Sequence, residues 1–140
     1  MMDFKFKNKK NVKAIAAKFH TTQRKAKEAL GEANKAGAAL IWREAWRRTP
    51  KRRGDLEASG KIIPAGPALK HLIAFDTDYA MLVHDWDKNA PLGKASRKKQ
   101  AAEGVKVGFK YLQRGYDENK KAILKKVEDK LRGLLGGTTN

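Results

Sequence analysis

The stretch that decides the fold is residues 23–48, QRKAKEALGEANKAGAALIWREAWRR. Its apolar and small residues recur in steps of three and four: Ala26, Ala29, Leu30, Ala33, Ala36, Gly37, Leu40, Ile41 and Ala45. That spacing places them on one stripe of an α-helix. The stripe is rich in Ala and Gly, and small residues let another element approach closely, so this face is expected to be packed. The helix is expected to stop at Thr49-Pro50, because the residue before a proline is pushed out of helical geometry. Upstream, Val12, Ile15, Ala16 and Phe19 continue the pattern, while His20-Thr21-Thr22 offers a Thr hydroxyl as an N-cap. The expectation is a short helix at about 11–19, a break, and a long helix at about 23–48.

Downstream the pattern changes. Residues 49–67 (TPKRRGDLEASGKIIPAGP) read as a loop with a turn at Gly54-Asp55, followed by a strand from Leu56 to Ile63. Pro64, Gly66 and Pro67 force a turn. Residues 69–75 (LKHLIAF) alternate Leu69, His71, Ile73 and Phe75 with Lys70, Leu72 and Ala74, which predicts the second strand of a hairpin. Tyr79 to His84 is an apolar segment long enough for one or two helical turns. Residues 85–104 lack apolar periodicity and are expected to form a long mobile loop. Gly104 to Gly108 reads as a short strand, and Phe109 to Leu135 as a final helix with Leu112, Tyr116, Asn119, Ile123, Val127 and Leu131 on its inner face. The fold class is therefore α+β: a long N-terminal helix, a small antiparallel β-sheet, a long loop and a C-terminal helix. Residues 1–21 are expected to form a basic N-terminal arm, 22–135 a single domain, and 136–140 a flexible tail.

The net charge is +17 over 140 residues, and it is unevenly spread. Residues 1–53 carry 16 Lys/Arg against 4 Asp/Glu (net +12), residues 54–93 carry 3 against 6 (net −3), and residues 94–140 carry 13 against 5 (net +8). Two basic arms flank an acidic centre. Contact with a polyanion, a solvated basic surface, and self-assembly of arm on centre all fit that distribution. No apolar run approaches the ~18–20 residues that span a bilayer, and the basic start is not followed by the apolar core of a secretory signal. The expectation is a soluble protein made in a cytoplasm. The absence of cysteine rules out disulfides and thiolate metal sites.

Candidate chemistry is sparse. His20, His71 and His84 are scattered, and His84 beside Asp85 and Asp87 reads more readily as a loop edge than as a cation site. Ser59 and Ser96 lie in no nucleophile elbow, and the glycines form no phosphate-cradling loop. No catalytic signature is evident, and neither a cofactor nor a metal is expected. The basic runs carry more information. Arg47, Arg48, Lys51, Arg52, Arg53, Arg97, Lys98 and Lys99 fall at element ends or in loops, where a side chain reaches a phosphate or a neighbouring subunit. No helix-turn-helix or zinc-finger pattern accompanies them, so any DNA contact is expected to be weak and non-specific. Asp76, Asp78, Tyr79, Asp85, Trp86 and Asp87 are the candidate subunit-interface residues opposite them. Trp42 and Trp46 are one helical turn apart and read either as core caps or as interface anchors.

The order of these segments resembles a known family. The Ala-rich helix runs into Thr49-Pro50, then basic residues, Gly54-Asp55-Leu56 and Ser59-Gly60-Lys61-Ile62; two strands follow, then Asp78-Tyr79-Ala80 with Val83-His84, and Phe109 with Leu112 opens the last helix. Over about residues 22–132 this resembles the tailed-phage minor-capsid and tail-component family of head–tail joining and tail-completion proteins. Arg53 stands where the family usually has Thr, and His84-Asp85 where Glu is common. The resemblance implies a non-enzymatic virion subunit that forms a homo-oligomeric ring, commonly sixfold, in the neck through which DNA passes. Its neighbours would be head-completion and tail proteins, and no membrane would be involved. The alternative carried by the charge is a non-specific DNA-binding accessory protein.

Overall fold

The structure, a computed structural model, describes residues 9–66 and 70–136. Its elements in chain order are α1 (Lys9–Arg48), α2 (Asp55–Ala58), β1 (Gly60–Pro64), β2 (His71–Phe75), α3 (Ala80–His84), α4 (Lys94–Glu103), α5 (Tyr111–Asp117) and α6 (Lys120–Leu134). The class is α+β, as expected.

Helix α1 is the spine. Its 40 residues run without interruption through residues 20–22, so the expected break is absent. The reason is local: the Thr21 hydroxyl donates to the Ala17 carbonyl and the Thr22 hydroxyl to the Lys18 carbonyl, both at 2.9 Å. Each threonine satisfies itself inside the helix instead of capping a new one. The stripe read from the sequence is packed at Ala29, Ala33, Gly37 and Ala45 and half-buried at Ala36, Leu40 and Ile41, whereas Ala26 and Leu30 are exposed and Ala38, outside the stripe, is buried. Ala33 and Ala45 are fully buried, and Ala29 and Ala38 nearly so. Helices α5 and α6 lie against this face, and the hairpin packs on the same helix.

The small residues fix how close the helices come. A Cβ on Gly115 of α5 would lie 2.7 Å from the backbone nitrogen of Ala45, and one on Gly37 of α1 would lie 2.6 Å from a Val127 methyl of α6. The first neighbour is backbone and cannot yield without moving a helix. Gly115→Val should therefore destabilise the protein by about 1–3 kcal/mol. Thermal unfolding checks this, and a midpoint unchanged from the parent protein would contradict it.

The final helix read from the sequence is two helices, α5 and α6, with the break at Glu118-Asn119. Polar side chains are diverted there. The Asn119 amide donates to Glu44 Oε2 at 3.2 Å and to the Gly115 carbonyl at 3.0 Å, and Glu118 turns toward Arg48. The inner face holds across the break: Ile123 is buried and Leu112, Tyr116, Asn119, Val127 and Leu131 are half-buried.

The hairpin is antiparallel, pairing Gly60 with Phe75, Ile62 with Ile73 and Pro64 with His71. The expected start of the first strand at Leu56 is corrected. Asp55–Ala58 form a helical turn in which the consecutive residues Leu56 and Glu57 are both buried, and Ser59 closes it with a 2.8 Å bond from its hydroxyl to the Leu56 carbonyl. Leu69, expected to open the second strand, lies outside the described residues, as do residues 1–8 of the expected basic arm and 137–140 of the expected tail. The expected strand at Gly104–Gly108 is instead a turn. Its Val107 N–H donates to Gln100 Oε1 and its Gly108 N–H to the Arg48 carbonyl, both of which tie it to other elements.

The largest correction concerns residues 85–104. Residues 94–103 are a helix, α4, and its inner face buries Ser96 and Lys99. Lys, Ala, Arg, Gln and Glu are good helix formers. The apolar period is missing because this helix docks through polar atoms. A small core closes the fold where α2, α3 and α5 meet. Leu56, Ala80, Val83 and Tyr111 form it, with Phe75 and Leu112 against them. The Tyr111 hydroxyl donates to the Ala80 carbonyl at 3.2 Å, and burial pushes its pKa up to about 12.

Candidate functional site

The eight basic residues singled out in the sequence divide into two groups. Lys99 is buried. Its ammonium sits at the C-terminal end of α1, donating to the carbonyls of Trp46 (2.5 Å) and Thr49 (3.0 Å) and to the Thr49 hydroxyl (2.9 Å). It is 2.5 Å from Glu57 Oε1 and 4.3 Å from the centre of the Trp46 ring. A cation on the last carbonyls of a helix meets both the unpaired acceptors and the negative end of the helix dipole. Burial lowers the pKa of this lysine, and the pull of Glu57 only partly restores it.

Arg48 is buried as well. It bonds to Glu44 Oε2 at 2.7 Å, to the Glu44 carbonyl at 2.8 Å, and to Glu118 Oε2 at 2.8 to 2.9 Å. Arg47 is half-buried and forks between Glu44 and Glu103, both at 3.1 Å. These three cations hold α1 to α4, α5 and the helical turn α2. They were expected on a contact surface, and the structure makes them internal braces.

The other five remain on the outside. Lys51, Arg52, Arg53, Arg97 and Lys98 are exposed, and only Lys51 has an ion-pair partner among the described residues, Glu57 at 3.6 Å. The two runs are 45 residues apart in sequence, yet they are stitched together. The Lys51 backbone N–H donates to Ser96 Oγ at 2.8 Å, and that hydroxyl donates in turn to the Lys51 carbonyl at 3.0 Å. One serine between the loop and α4 thus sets the loop that carries Arg52-Arg53 beside the helix that carries Arg97-Lys98, two exposed basic runs on adjoining elements that make up a basic ridge. Sequence reading had no signal for this, since Ser96 looks like any polar residue in a basic run.

Beside the ridge lies an open groove of about 650 Å³, lined by Pro50, Leu56, Tyr79, Leu82, Val83 and Trp86 with Lys51, Arg52, Arg53 and Lys94 among its other lining residues. Trp86 also borders a second hollow of about 230 Å³. The candidate interface residues lie in the turns at the two ends of α3, with Tyr79 and Asp85 as its caps. Asp76 faces Lys61 at 3.4 Å. Asp85 is held by Lys110 at 2.8 Å, and the bonds from Lys110 and then His84 keep its carboxyl below the usual range. Asp87 accepts from the Asn89 N–H, whereas Asp78 has no hydrogen-bond or ion-pair partner among the described residues. Trp42, unlike Trp86, is an internal contact, with its ring against β1 at Gly60. Among the described residues no group of three or more His, Asp or Glu side chains gathers as metal ligands would, and no helix is long and apolar enough to cross a membrane.

Comparison with known proteins returns no match: no family model, no curated protein and no solved structure is significantly similar to this chain.

Proposed function

We propose that the chain is a non-catalytic structural subunit of a tailed-phage head–tail connector, joining or completing the tail in a homo-oligomeric ring around the DNA channel. On this reading it is made in the host cytoplasm and works in the virion, between head-completion and tail proteins. The order of sequence segments over residues 22–132 supports it. The observation that carries it is the basic ridge. Arg52, Arg53, Arg97 and Lys98 stand exposed on a loop and a helix tied together through Ser96, free of partners among the described residues, while their neighbours Arg48 and Lys99 are consumed inside. A ridge of free cations without a base-reading element suits a surface past which a DNA backbone slides.

Electron microscopy of assembled particles tests the reading directly; a neck without a ring of this chain rejects it. The double variant Arg97→Glu/Lys98→Glu leaves Lys99 in place and should keep the fold. Particles that form but package or eject DNA poorly would put the ridge toward the channel, and particles lacking a joined tail would put it at a subunit contact. The same ridge favours one other reading, a non-specific DNA-binding accessory protein. In that case the free chain binds duplex DNA. Four phosphate contacts would give log K against log salt a slope of about −3.6. Nanomolar, site-selective binding would reject both readings.

A further inference from the structure

Two surfaces of the molecule are each exposed and apolar, and they carry opposite charge. The first is the free part of α1. Residues 13–28 are exposed almost throughout, a stretch roughly 24 Å long. Ile15 and Phe19, one turn apart, are 68% and 62% exposed. Lys13, Lys18, Arg24, Lys25 and Lys27 surround them, with Glu28 the only acid in the stretch. A helical segment of this length is marginal in water when nothing covers its apolar side.

The second surface is α3 with the turns at its ends. Met81 is 74% and Leu82 69% exposed, with Tyr79 and Trp86 at 38% each. Asp76, Asp78, Asp85 and Asp87 flank this apolar patch, and only Asp76 and Asp85 have lysine partners among the described residues.

We propose that residues 13–28 of one copy dock on the α3 face of a second copy, with Ile15 and Phe19 against Met81, Leu82 and Trp86, and the arm lysines facing Asp78 and Asp87. Charge calls for a basic occupant, and among the described residues two helical stretches are both basic and apolar on the outside, the arm and α6; α6 already packs on α1 through Ile123, whereas residues 13–28 are exposed throughout. The cations Lys51, Arg52, Arg53 and Lys94 line the groove beside Leu82 and Trp86, so the arm crosses the outer face of α3 and stays out of the groove. A chain cannot cover its own patch. The Gly108 N–H bonds to the Arg48 carbonyl and the Lys110 N–H to the His84 carbonyl, which ties α3 to the C-terminal end of α1. The unbroken helix carries Phe19 roughly 44 Å along its axis from Arg48. The contact joins two different surfaces, so it is heterologous, and it closes into a ring when the rotation between copies permits. It deepens the ring reading by naming the two contact surfaces, and it rests on self-association alone, independent of the virion or of DNA.

The chain has no cysteine, which makes cross-linking clean. A Phe19→Cys chain mixed with a Leu82→Cys chain under mild oxidation should form disulfide-linked dimers about tenfold or more faster than Phe19→Cys mixed with Leu72→Cys, because docking raises the effective concentration of the paired thiols. Leu72 serves as the control because it is also exposed, at 55%, but lies on the hairpin. One chain carrying both Phe19→Cys and Leu82→Cys should give a ladder of covalent multimers whose upper limit reads the ring size. Asp78→Lys/Asp87→Lys should abolish the preference, and Lys13→Glu/Lys18→Glu on the partner copy should restore it. Equal rates with the Leu72 control overturn the proposal. So does faster linking of Phe19→Cys to itself, which means arm pairs with arm, or of Leu82→Cys to itself, which means a two-fold dimer. A cross-linked ladder from a protein absent from the phage neck would reject the connector reading and leave this contact standing. A neck ring built without the Phe19–Leu82 preference would do the reverse.

Discussion

Replacing Lys99 with Met should lower the stability of the protein by about 3–5 kcal/mol, toward the lower end of that range. In a urea titration the midpoint falls while the slope stays unchanged. The loss comes less from the bonds removed than from what they leave behind. Glu57 is 9% exposed at its side chain and sits 2.5 Å from the ammonium. Without Lys99 its carboxylate is buried with only Lys51, 3.6 Å away, for company. The Thr49 carbonyl at the end of α1 also loses the ammonium that donates to it, and the Trp46 carbonyl is left with the Thr49 N–H and hydroxyl. The lowered pKa of Lys99 says that burial outweighs the attraction of its partner. The ion pair is therefore not itself the source of net stability. It follows that Lys99→Met/Glu57→Leu, which removes both charges, should recover most of the loss of the single variant. Lys98→Met, one residue away and exposed, should shift the midpoint by no more than about 0.5 kcal/mol. A Lys99→Met protein as stable as its parent would show that the ammonium braces nothing.

Lys99 also marks where the sequence stops being legible. Nothing in the run Arg97-Lys98-Lys99 separates two solvated cations from one that is 8% exposed. The difference is made by Glu57 and by the end of α1, both more than 40 residues away in sequence. Arg48 repeats the lesson, since its partner Glu118 is 70 residues distant. Helix α4 was unreadable for the same reason. Periodicity finds helices that bury apolar residues, and this one buries Ser96 and Lys99. The patterns that could be read were those whose cause is local or apolar: the Ala/Gly stripe of α1, the stop at Thr49-Pro50, the alternation of His71 to Phe75, and the inner face of α5 and α6. Of the candidate site, the placing of the four aspartates in the turns that flank α3 was legible. The joining of two basic runs by Ser96 was not, because a hydroxyl pairing with backbone leaves no trace in composition.

The ion-pair hub around Arg48 should make the protein sensitive to acid, and Arg48→Met should remove most of that sensitivity along with about 3 kcal/mol of stability at neutral pH. The figure sits at the low end for a buried pair because Glu118 is 44% exposed and regains water when its partner is lost. Burial alone would raise the pKa of Glu44, but the bonds from Arg48 and Arg47 outweigh it and hold the carboxyl below its ordinary 4.5. The same balance, with Arg48 and Arg114 as donors, lowers Glu118. A carboxyl whose pKa is depressed by folding binds its proton later in the folded state than in the unfolded one. The two glutamates thus contribute their full stabilisation above pH 4.5 and lose it as the pH falls through their lower folded values. The unfolding free energy of the parent protein should therefore fall steeply with acid below pH 4.5. In Arg48→Met the curve starts lower and declines more gently, because among the described residues Glu44 keeps Arg47 and the Asn119 amide, and Glu118 keeps Arg114. Parallel acid curves for the two proteins would mean that the depressed carboxyls owe nothing to Arg48, and that Arg47 and Arg114 hold them alone.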